Sequence, residues 1–228
     1  YLFGSARSAL FAVLKALDLP EDAEVIVTGY TCEAVPNAVI QAGYTPVYAD
    51  IDPETCCTSP TSVRDRLSEN TRVLIVQHTY GIPADLDALT EISEERSLYL
   101  IEDCAVSLGS KYRNRLTGTF GDAAMFSFEL SKTITCCRGG LLILNSDKWG
   151  ALSKLKEFYR QCVPEPSRRE RSQAMFQLGL SGILYRPRMY VFFGRLIVPL
   201  LFKLGLFRVS TSPIEKRAGI GSDYLRRL

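Results

Sequence analysis

The sequence predicts an α/β fold, a three-layer sandwich in which helices cover both faces of a mainly parallel sheet. From residue 4 to about residue 145, short runs rich in β-branched residues alternate with longer segments whose apolar residues recur every three or four positions. The short runs are typical of buried strands, and the longer segments are typical of helices that lie on a sheet. A chain of 228 residues, 46% of them apolar, is also long enough to bury one large core.

The predicted elements follow one another in order along the chain. Strands are predicted at residues 24–30, 45–51, 72–78, 97–103, 123–128 and 141–145. Helices are predicted before or between these strands, at residues 8–17, 33–42, 59–67 and 84–96. Gly43 directly follows the second helix and Pro60 lies near the start of the third, which are typical positions for these two residues.

The character of the sequence changes after residue 149. We expect an amphipathic helix at 149–161 and a polar linker at 164–171, and we therefore divide the chain into domains 1–161 and 162–228. Residues 189–207 are apolar, but they contain Arg195, Pro199 and Lys203, and a clean membrane span normally avoids such charges near its middle. A buried helix pair or subunit contact and an interfacial helix at a membrane surface both remain open. The even charge balance favours the first.

Composition excludes several classes of function. The net charge of +2 provides no large field for nucleic acid, so we expect no nucleic-acid partner. Seven cysteines, including the adjacent pairs Cys56-Cys57 and Cys136-Cys137, suit neither a disulfide framework nor a CxxC zinc site, and they favour a cytoplasmic location. The single histidine, His78, excludes His-rich metal sites, so we expect no metal. The first residues show no secretory signal and no initiator Met, from which we expect a fragment.

Polar residues follow two predicted strands at the sheet edge where ligands bind in open α/β folds. Asp103 ends one strand, next to Glu102; Ser127 lies near the end of another, and Lys132 follows on a loop. A desolvated lysine can form an imine with a carbonyl, and pyridoxal phosphate (PLP) is the usual aldehyde. Such a cofactor also needs a carboxylate at its ring nitrogen, for which Asp103 is the candidate.

A phosphate cup is the further requirement of such a cofactor. The segment Gly4-Ser5-Ala6-Arg7-Ser8 opens the first helix, where backbone N–H groups favour anions. Taken singly, each of these signals has an ordinary structural explanation, because a strand-end Asp often caps a helix and most lysines are solvated surface groups.

Taken in order, the landmarks resemble the DegT/StrS-type (DegT/DnrJ) sugar aminotransferases of the PLP-dependent fold type I superfamily. The resemblance runs from about Gly4 to Ser146. Its motifs include His78-Thr79-Tyr80-Gly81-Ile82-Pro83-Ala84-Asp85, Ile101-Glu102-Asp103-Cys104-Ala105, Gly118-Thr119-Phe120-Gly121-Asp122, and Phe126-Ser127-Phe128 with Lys132 and Gly139-Gly140. It implies that residues 1–161 form the PLP-binding large domain. It also implies that residues 162–228 lead towards a C-terminal small domain that is missing, with 213–228 ending where relatives begin their next long helix.

The resemblance also implies roles for individual residues. Lys132 would be the Schiff-base lysine that also moves the substrate proton, and Asp103 would pair with the pyridine nitrogen. Ser127 and the backbone of Ala6 and Arg7 would hold the phosphate. Dehydratases of the family carry a histidine in place of this lysine, so Lys132 points to transamination. The implied reaction moves an amino group from a donor such as glutamate to a nucleotide-linked keto sugar in amino-sugar or polysaccharide biosynthesis, and it is carried out by a homodimer.

Three positions depart from the family pattern. Val106 stands where a Gln or His usually lies beside the cofactor's phenolic oxygen, and Cys32 stands where relatives often stack an aromatic ring on the cofactor. Arg138 replaces the Glu of a Glu-Gly-Gly motif and is a candidate for an anionic substrate group. These departures keep two alternatives open: a non-catalytic or regulatory descendant of the family, and a PLP-dependent lyase or dehydratase.

Overall fold

The structure, a computed structural model, describes residues 1–207 of the chain. The strands are β1 (Leu2–Phe3), β2 (Glu24–Thr28), β3 (Thr45–Ala49), β4 (Thr71–Gln77), β5 (Tyr99–Asp103), β6 (Lys111–Tyr112), β7 (Arg115–Leu116), β8 (Ala123–Ser127) and β9 (Gly140–Leu144). Seven of them form the main sheet in the order β1-β9-β8-β5-β4-β2-β3, and β6 and β7 form a separate hairpin. Strands β3, β2, β4, β5 and β8 are parallel, and β9 runs antiparallel to both of its neighbours.

Helices lie on both faces of this sheet. They are α1 (Ala6–Leu17), α2 (Ala34–Ala42), α3 (Pro60–Arg66), α4 (Leu86–Glu95), α5 (Ala151–Cys162), α6 (Arg168–Leu184), α7 (Pro187–Met189) and α8 (Arg195–Lys203), with a π-helical turn at Tyr190–Gly194. Helices α1, α2 and α5 contribute to the core on one face, and α3 and α4 contribute to the core on the other. The predicted three-layer α/β sandwich with a mainly parallel sheet is therefore confirmed.

Alternation along the strands divides the apolar residues between the two cores. In β4, Val73 and Ile75 face the core under α1, while Leu74 and Val76 face the core under α3 and α4. Successive side chains of a strand point to opposite faces, so a run in which every residue is apolar indicates burial on both sides. Such two-sided burial places the carboxyl ends of the central strands between two layers of helices.

The expected helix signals lie where the sequence placed them. Gly43 ends α2 in the left-handed region, at φ 94°, and the N–H of Tyr44 donates to the carbonyl of Val39. Pro60 stands in the first turn of α3, and the Ser59 side chain accepts from the N–H of Ser62. These ends fix the lengths of the helices that connect β2, β3 and β4.

Some elements differ from the prediction. The pairing of β1 with β9 and the β6–β7 hairpin were not expected from the sequence. Helix α6 begins at Arg168, inside the stretch expected as a linker, because Ser167 and Glu170 form a capping box there. None of the helices within residues 1–207 combines enough length and apolar character to cross a membrane. The expectation for residues 213–228 lies outside the described residues.

Candidate active site

A cleft opens at the carboxyl edge of the sheet, between the ends of β5 and β8, the start of α1 and the loop that follows β8. Six residues chosen from the sequence line this one cleft: Ala6, Arg7, Cys32, Asp103, Ser127 and Lys132. Val106 is not among the lining residues, and its side chain is exposed. The fold thus brings Ala6 and Lys132, which are 126 positions apart in the sequence, to one cleft that also contains Asp103.

Asp103 is the buried acid of the cleft. Its Oδ1 accepts a hydrogen bond of 2.9 Å from the N–H of Ala105. Burial raises the pKa of the Asp103 carboxyl, and the hydrogen bond from the Ala105 N–H and the positive charge of Lys132 only partly oppose that shift. Lys132 is therefore near enough to influence Asp103, and a further cation in the cleft would favour its ionised form.

Glu102, the neighbouring acid, is fully buried and has a different environment. Its Oε1 accepts from the N–H groups of Phe120 (2.6 Å) and Gly121 (2.8 Å), and its Oε2 accepts from the N–H of Gly118 (2.7 Å). Burial alone would raise its pKa, but hydrogen bonds from His78, Gly121 and Gly118 outweigh burial and hold the Glu102 pKa below its usual value. Glu102 therefore fastens the 118–121 loop under the cleft as a carboxylate.

His78 completes this buried network. Its Nδ1 accepts from the N–H of Ala84 (3.1 Å), so Nε2 carries the proton that it donates to Glu102 Oε2 (3.1 Å). The backbone N–H of His78 also donates to the carbonyl of Asp103, at 3.3 Å. Both ring nitrogens of His78 are therefore hydrogen-bonded, and its backbone supports the strand end that carries Asp103.

His78, Glu102 and Cys104 lie close enough together to suggest a metal site. The donor set does not fit one, because the lone pairs of Glu102 already face three N–H groups and the His78 Nδ1 already accepts from Ala84. Burial, followed by the charge of Glu102, raises the pKa of the Cys104 thiol, and metal ligation needs the thiolate. The cluster is a hydrogen-bonded support.

The start of α1 forms another wall of the cleft. Ser5 caps this helix by accepting from the N–H of Ser8 (3.2 Å), and Ala6 and Arg7 lie in the first turn, whose N–H groups lack an acceptor within the helix. Gly140 packs directly beneath, since a Cβ there would lie 2.3 Å from the Ser5 carbonyl carbon and oxygen. Only glycine permits this approach, which places a helix N-terminus suited to an anion in the cleft.

We call residues 128–139, between β8 and β9, the lysine loop. Its base is closed by hydrogen bonds from the Phe128 N–H to the Gly139 carbonyl and from the Cys136 N–H to the Phe128 carbonyl, both 3.0 Å. Lys132 lies at a turn within the loop, and its N–H donates to the carbonyl of Glu129 at 3.0 Å. The loop is thus anchored at both ends and presents Lys132, half-buried, to the cleft.

A second, larger cavity lies on another side of the lysine loop. It has a volume of about 680 Å³ and is bounded by loop residues, by α6 and by Phe202 of α8. Glu129 lines both cavities, but Asp103 and Lys132 line only the smaller one. The larger cavity is therefore separate from the cleft that holds the predicted site residues.

Comparison with known proteins identifies the family. A sequence model of the DegT/DnrJ/EryC1/StrS aminotransferase family matches residues 2–181. The chain belongs to this family. The family match covers the whole sheet, the cleft, and α6 as far as Ser181.

The chain is also similar to enzymes whose names state an activity. GDP-perosamine synthase of Escherichia coli O157:H7 is 40% identical over 68% of this chain and 40% of its own length. L-glutamine:2-deoxy-scyllo-inosose aminotransferase of Micromonospora echinospora is 38% identical over 68% of this chain and 36% of its own. The chain thus spans about two fifths of the length of the relatives it matches.

A solved structure with a similar fold is described in its PLP form. Spr1654 of Streptococcus pneumoniae, named as a sugar aminotransferase in its PLP form, superposes with a TM-score of 0.65 at 26% identity, covering 71% of this chain and 45% of its own. DegT/DnrJ/EryC1/StrS aminotransferases use pyridoxal phosphate. The cleft fits this cofactor: it offers a buried acid for a cationic ring nitrogen, an amine and a helix N-terminus for a phosphate.

Several residues of the site were not found from the sequence. Glu129, Ala34, Val35 and Met125 also line the cleft, and Glu102 with the 118–121 loop supports it from behind. Glu102 had been seen as one of two acids at the strand end. Successive side chains of a strand point to opposite faces, so Glu102 and Asp103 cannot both point the same way. This alternation was the signal available in the sequence that only one of the two acids reaches the cleft.

Proposed function

We propose that this chain binds pyridoxal phosphate in the cleft and serves an aminotransferase that moves an amino group from an amino acid to a keto sugar. The observation that carries the proposal is the joint placement of Asp103 and Lys132 on one cleft, beside the N-terminus of α1. When bound, the cofactor withdraws electrons from the carbon that carries the amino group. The protein's residues then have separate tasks of binding, orientation and proton transfer.

Asp103 binds the ring end of the cofactor in this proposal. Its buried carboxylate would accept a hydrogen bond from the ring nitrogen of the cofactor, and a positive charge on that ring would oppose the burial that raises the pKa of Asp103. At the other end, Ser127 Oγ and the N–H groups of Ala6 and Arg7 donate to the phosphate. Lys132 would hold the cofactor through its side-chain amine and would accept and return the proton at the substrate carbon.

The acceptor is proposed to be a nucleotide-linked keto sugar. The similarity to an enzyme named GDP-perosamine synthase supports this acceptor, because that name includes a nucleotide. Other relatives are named for inosose acceptors, and those names include no nucleotide. The proposed donor is glutamate, and the glutamine of the inosose relatives is the competing donor. Amino-sugar formation for polysaccharide biosynthesis follows from this choice of acceptor.

Cys32 and Arg138 bear on specificity in this proposal. Cys32 lines the cleft, so a small thiol replaces the stacking ring expected there and leaves more space beside the cofactor. Arg138 is half-buried at the end of the lysine loop, directly before Gly139. We propose that its guanidinium directs an anionic group of the substrate towards the cleft.

The first experiment tests cofactor binding. Borohydride reduces an imine to a stable amine, so treatment of the purified, PLP-loaded protein followed by peptide mass mapping should place the cofactor on Lys132. Lys132→Ala should lose this adduct, the visible absorbance band and amino-group transfer. Lys156→Ala, on the exposed face of α5, should retain all three. An adduct on another lysine would refute the assignment of Lys132.

The second experiment tests the reaction. Transfer of ¹⁵N from labelled glutamate to a nucleotide-linked keto sugar should exceed transfer to a free inosose, with glutamine as the competing donor. Release of ammonia or water from the substrate without transfer would indicate the lyase or dehydratase alternative. A protein that binds PLP at Lys132 and does not bleach with any amino donor would indicate a non-catalytic descendant.

The same proposal includes a cytoplasmic homodimer. All seven cysteines, which lie within the described residues, are free thiols, which favours a reducing compartment.

The cleft has a volume of about 90 Å³, well below the roughly 300–1,000 Å³ of typical ligand sites. Residues from elsewhere are therefore needed to enclose the cofactor, and we propose that a second subunit supplies them. Analytical ultracentrifugation of the full-length protein should show a dimer, and a fully active monomer would refute this.

A further inference from the structure

The helices that follow the sandwich expose an unusual amount of apolar surface. We call residues 168–207 the helical extension. Among the described residues, thirteen of the twenty-six exposed large hydrophobic side chains lie between Met175 and Leu206. Phe192 and Leu196 are each 70% exposed. Monomeric proteins rarely leave contiguous apolar surface of this kind uncovered unless it binds a partner or a membrane.

Helix α8 is apolar on two opposite faces. Val198 and Leu201 pack with Leu184 and Phe207 in a small separate core. On the other side, Leu196, Leu200 and Leu204 follow one another every four residues and are exposed, with Phe192 one turn earlier. The inner face has its packing partners already, so the outer face needs another explanation.

The charge of the same segment is one-sided. Residues 171–207 contain five cations, Arg171, Arg186, Arg188, Arg195 and Lys203, and no Asp or Glu. The whole chain carries +2, so the remaining residues together carry −3. Residues 171–207 are therefore strongly basic, although the overall charge balance of the chain is even. An apolar and acidic surface is required to complement them.

The positions of the cations relative to the apolar stripe fit a lipid surface. Arg195 and Lys203 are eight residues apart on α8, so they lie about 80° apart around the helix axis, and both are exposed. The rings of Tyr185 and Tyr190, which bracket Arg186 and Arg188, stack at 5.7 Å between centroids and are both partly exposed. Tyrosines and long basic side chains are the residues that bridge the apolar and polar layers of a membrane interface.

We propose that the helical extension docks on the surface of an anionic lipid bilayer. Phe192, Leu196 and Leu200 enter the boundary between headgroups and acyl chains, and Arg195 and Lys203 contact lipid phosphates. Tyr185 and Arg186 also line the 680 Å³ cavity whose opposite wall is the lysine loop. The proposed docking segment and the lysine loop therefore line the same cavity.

Vesicle co-sedimentation of the purified full-length protein tests this proposal. The protein should pellet with vesicles of equal parts phosphatidylglycerol and phosphatidylcholine, pellet less with phosphatidylcholine alone, and dissociate as salt is raised. Each neutralised cation should weaken binding about fivefold, so Arg195→Gln with Lys203→Gln should weaken it about 25-fold. Phe192→Ser with Leu196→Ser should weaken binding to both kinds of vesicle by at least about tenfold, because each buried CH₂ stabilises insertion by roughly 0.8 kcal/mol.

The matched control is Leu152→Ser with Lys156→Gln, an exposed apolar residue and an exposed cation on α5, which should bind like the unchanged protein. All variants replace exposed side chains, and circular dichroism checks that each is folded. No pelleting with anionic vesicles, or equal pelleting of all variants, overturns the proposal. It is also overturned if Phe192→Ser with Leu196→Ser leaves vesicle binding unchanged and lowers the sedimentation coefficient without lipid, because a second copy would then cover the surface.

Discussion

Replacement of Glu102 by glutamine should destabilise the protein strongly, although the two side chains have nearly the same shape. Each carboxylate oxygen of Glu102 faces two N–H donors: Phe120 and Gly121 at Oε1, and Gly118 and His78 at Oε2. Whichever way the amide is oriented, its NH₂ group faces two N–H groups that lose their acceptor. A buried donor left unsatisfied costs about 1–3 kcal/mol, so Glu102→Gln should lower the free energy of unfolding by about 2–6 kcal/mol.

Urea denaturation followed by circular dichroism measures this loss, and the pH dependence tests its electrostatic part. The folded-state pKa of Glu102 lies below its usual value, so its contribution is complete above the unfolded-state pKa of about 4.3 and is lost as pH falls through the folded-state pKa. The difference between the two proteins should therefore shrink below about pH 4.

Glu95→Gln is the matched control, because Glu95 forms an exposed ion pair with Arg64 at 2.7 Å and should change stability by no more than about 1 kcal/mol. The reasoning is refuted if Glu102→Gln stays within about 1 kcal/mol of the unchanged protein at neutral pH. A difference that stays constant from about pH 5 to pH 3 would refute its electrostatic part.

Four further substitutions probe other parts of the fold. Gly140→Ala should lower the free energy of unfolding by about 1–3 kcal/mol and weaken PLP binding, because the added Cβ meets the Ser5 backbone. The control Gly182→Ala, in the exposed part of α6, should raise the free energy of unfolding by about 0.5–1 kcal/mol. Changes of the same sign in the two variants would contradict the close approach at Gly140. Tyr99→Phe should raise stability by about 1 kcal/mol, since the buried hydroxyl has no hydrogen-bond partner among the described residues, and a loss would reveal one. Ser167→Ala should cost about 1 kcal/mol and speed amide hydrogen exchange in the first turn of α6, while exchange in α1 stays unchanged.

The sheet and its helices were predictable because their signals are local. In β4 every residue from Val73 to Val76 is apolar, which a strand buried on both faces requires, and Gly43 marks a helix end through its own backbone preference. Strand β1 was missed because two residues are too few to show a period. Its pairing with β9 depends on contacts across about 138 positions of sequence, which no local pattern reveals.

The candidate site was predicted in part for a similar reason. Asp103, Ser127 and Lys132 lie at strand ends or just beyond, and the topology of a parallel sheet brings such positions together. The position of Val106 depends on the backbone after Asp103, which turns with the Ser107 N–H bonded to the Cys104 carbonyl, and the side chain lies outside the cleft. The role of Glu102 was not predictable because its carboxylate oxygens accept hydrogen bonds from backbone N–H groups, which are present in every sequence.

The pairing of β1 with β9 has a consequence for the order of folding during synthesis. Leu2 and Phe3 pair with Leu141 and Gly140, and Ser5 bridges to Gly139. Residues 2–5 must therefore wait until more than 130 later residues have been synthesised before their partners exist, and such non-local contacts slow folding. The nascent chain can assemble β2 to β5 with their helices early, but the anion-binding start of α1 gains its support from Gly139 and Gly140 only at a late step.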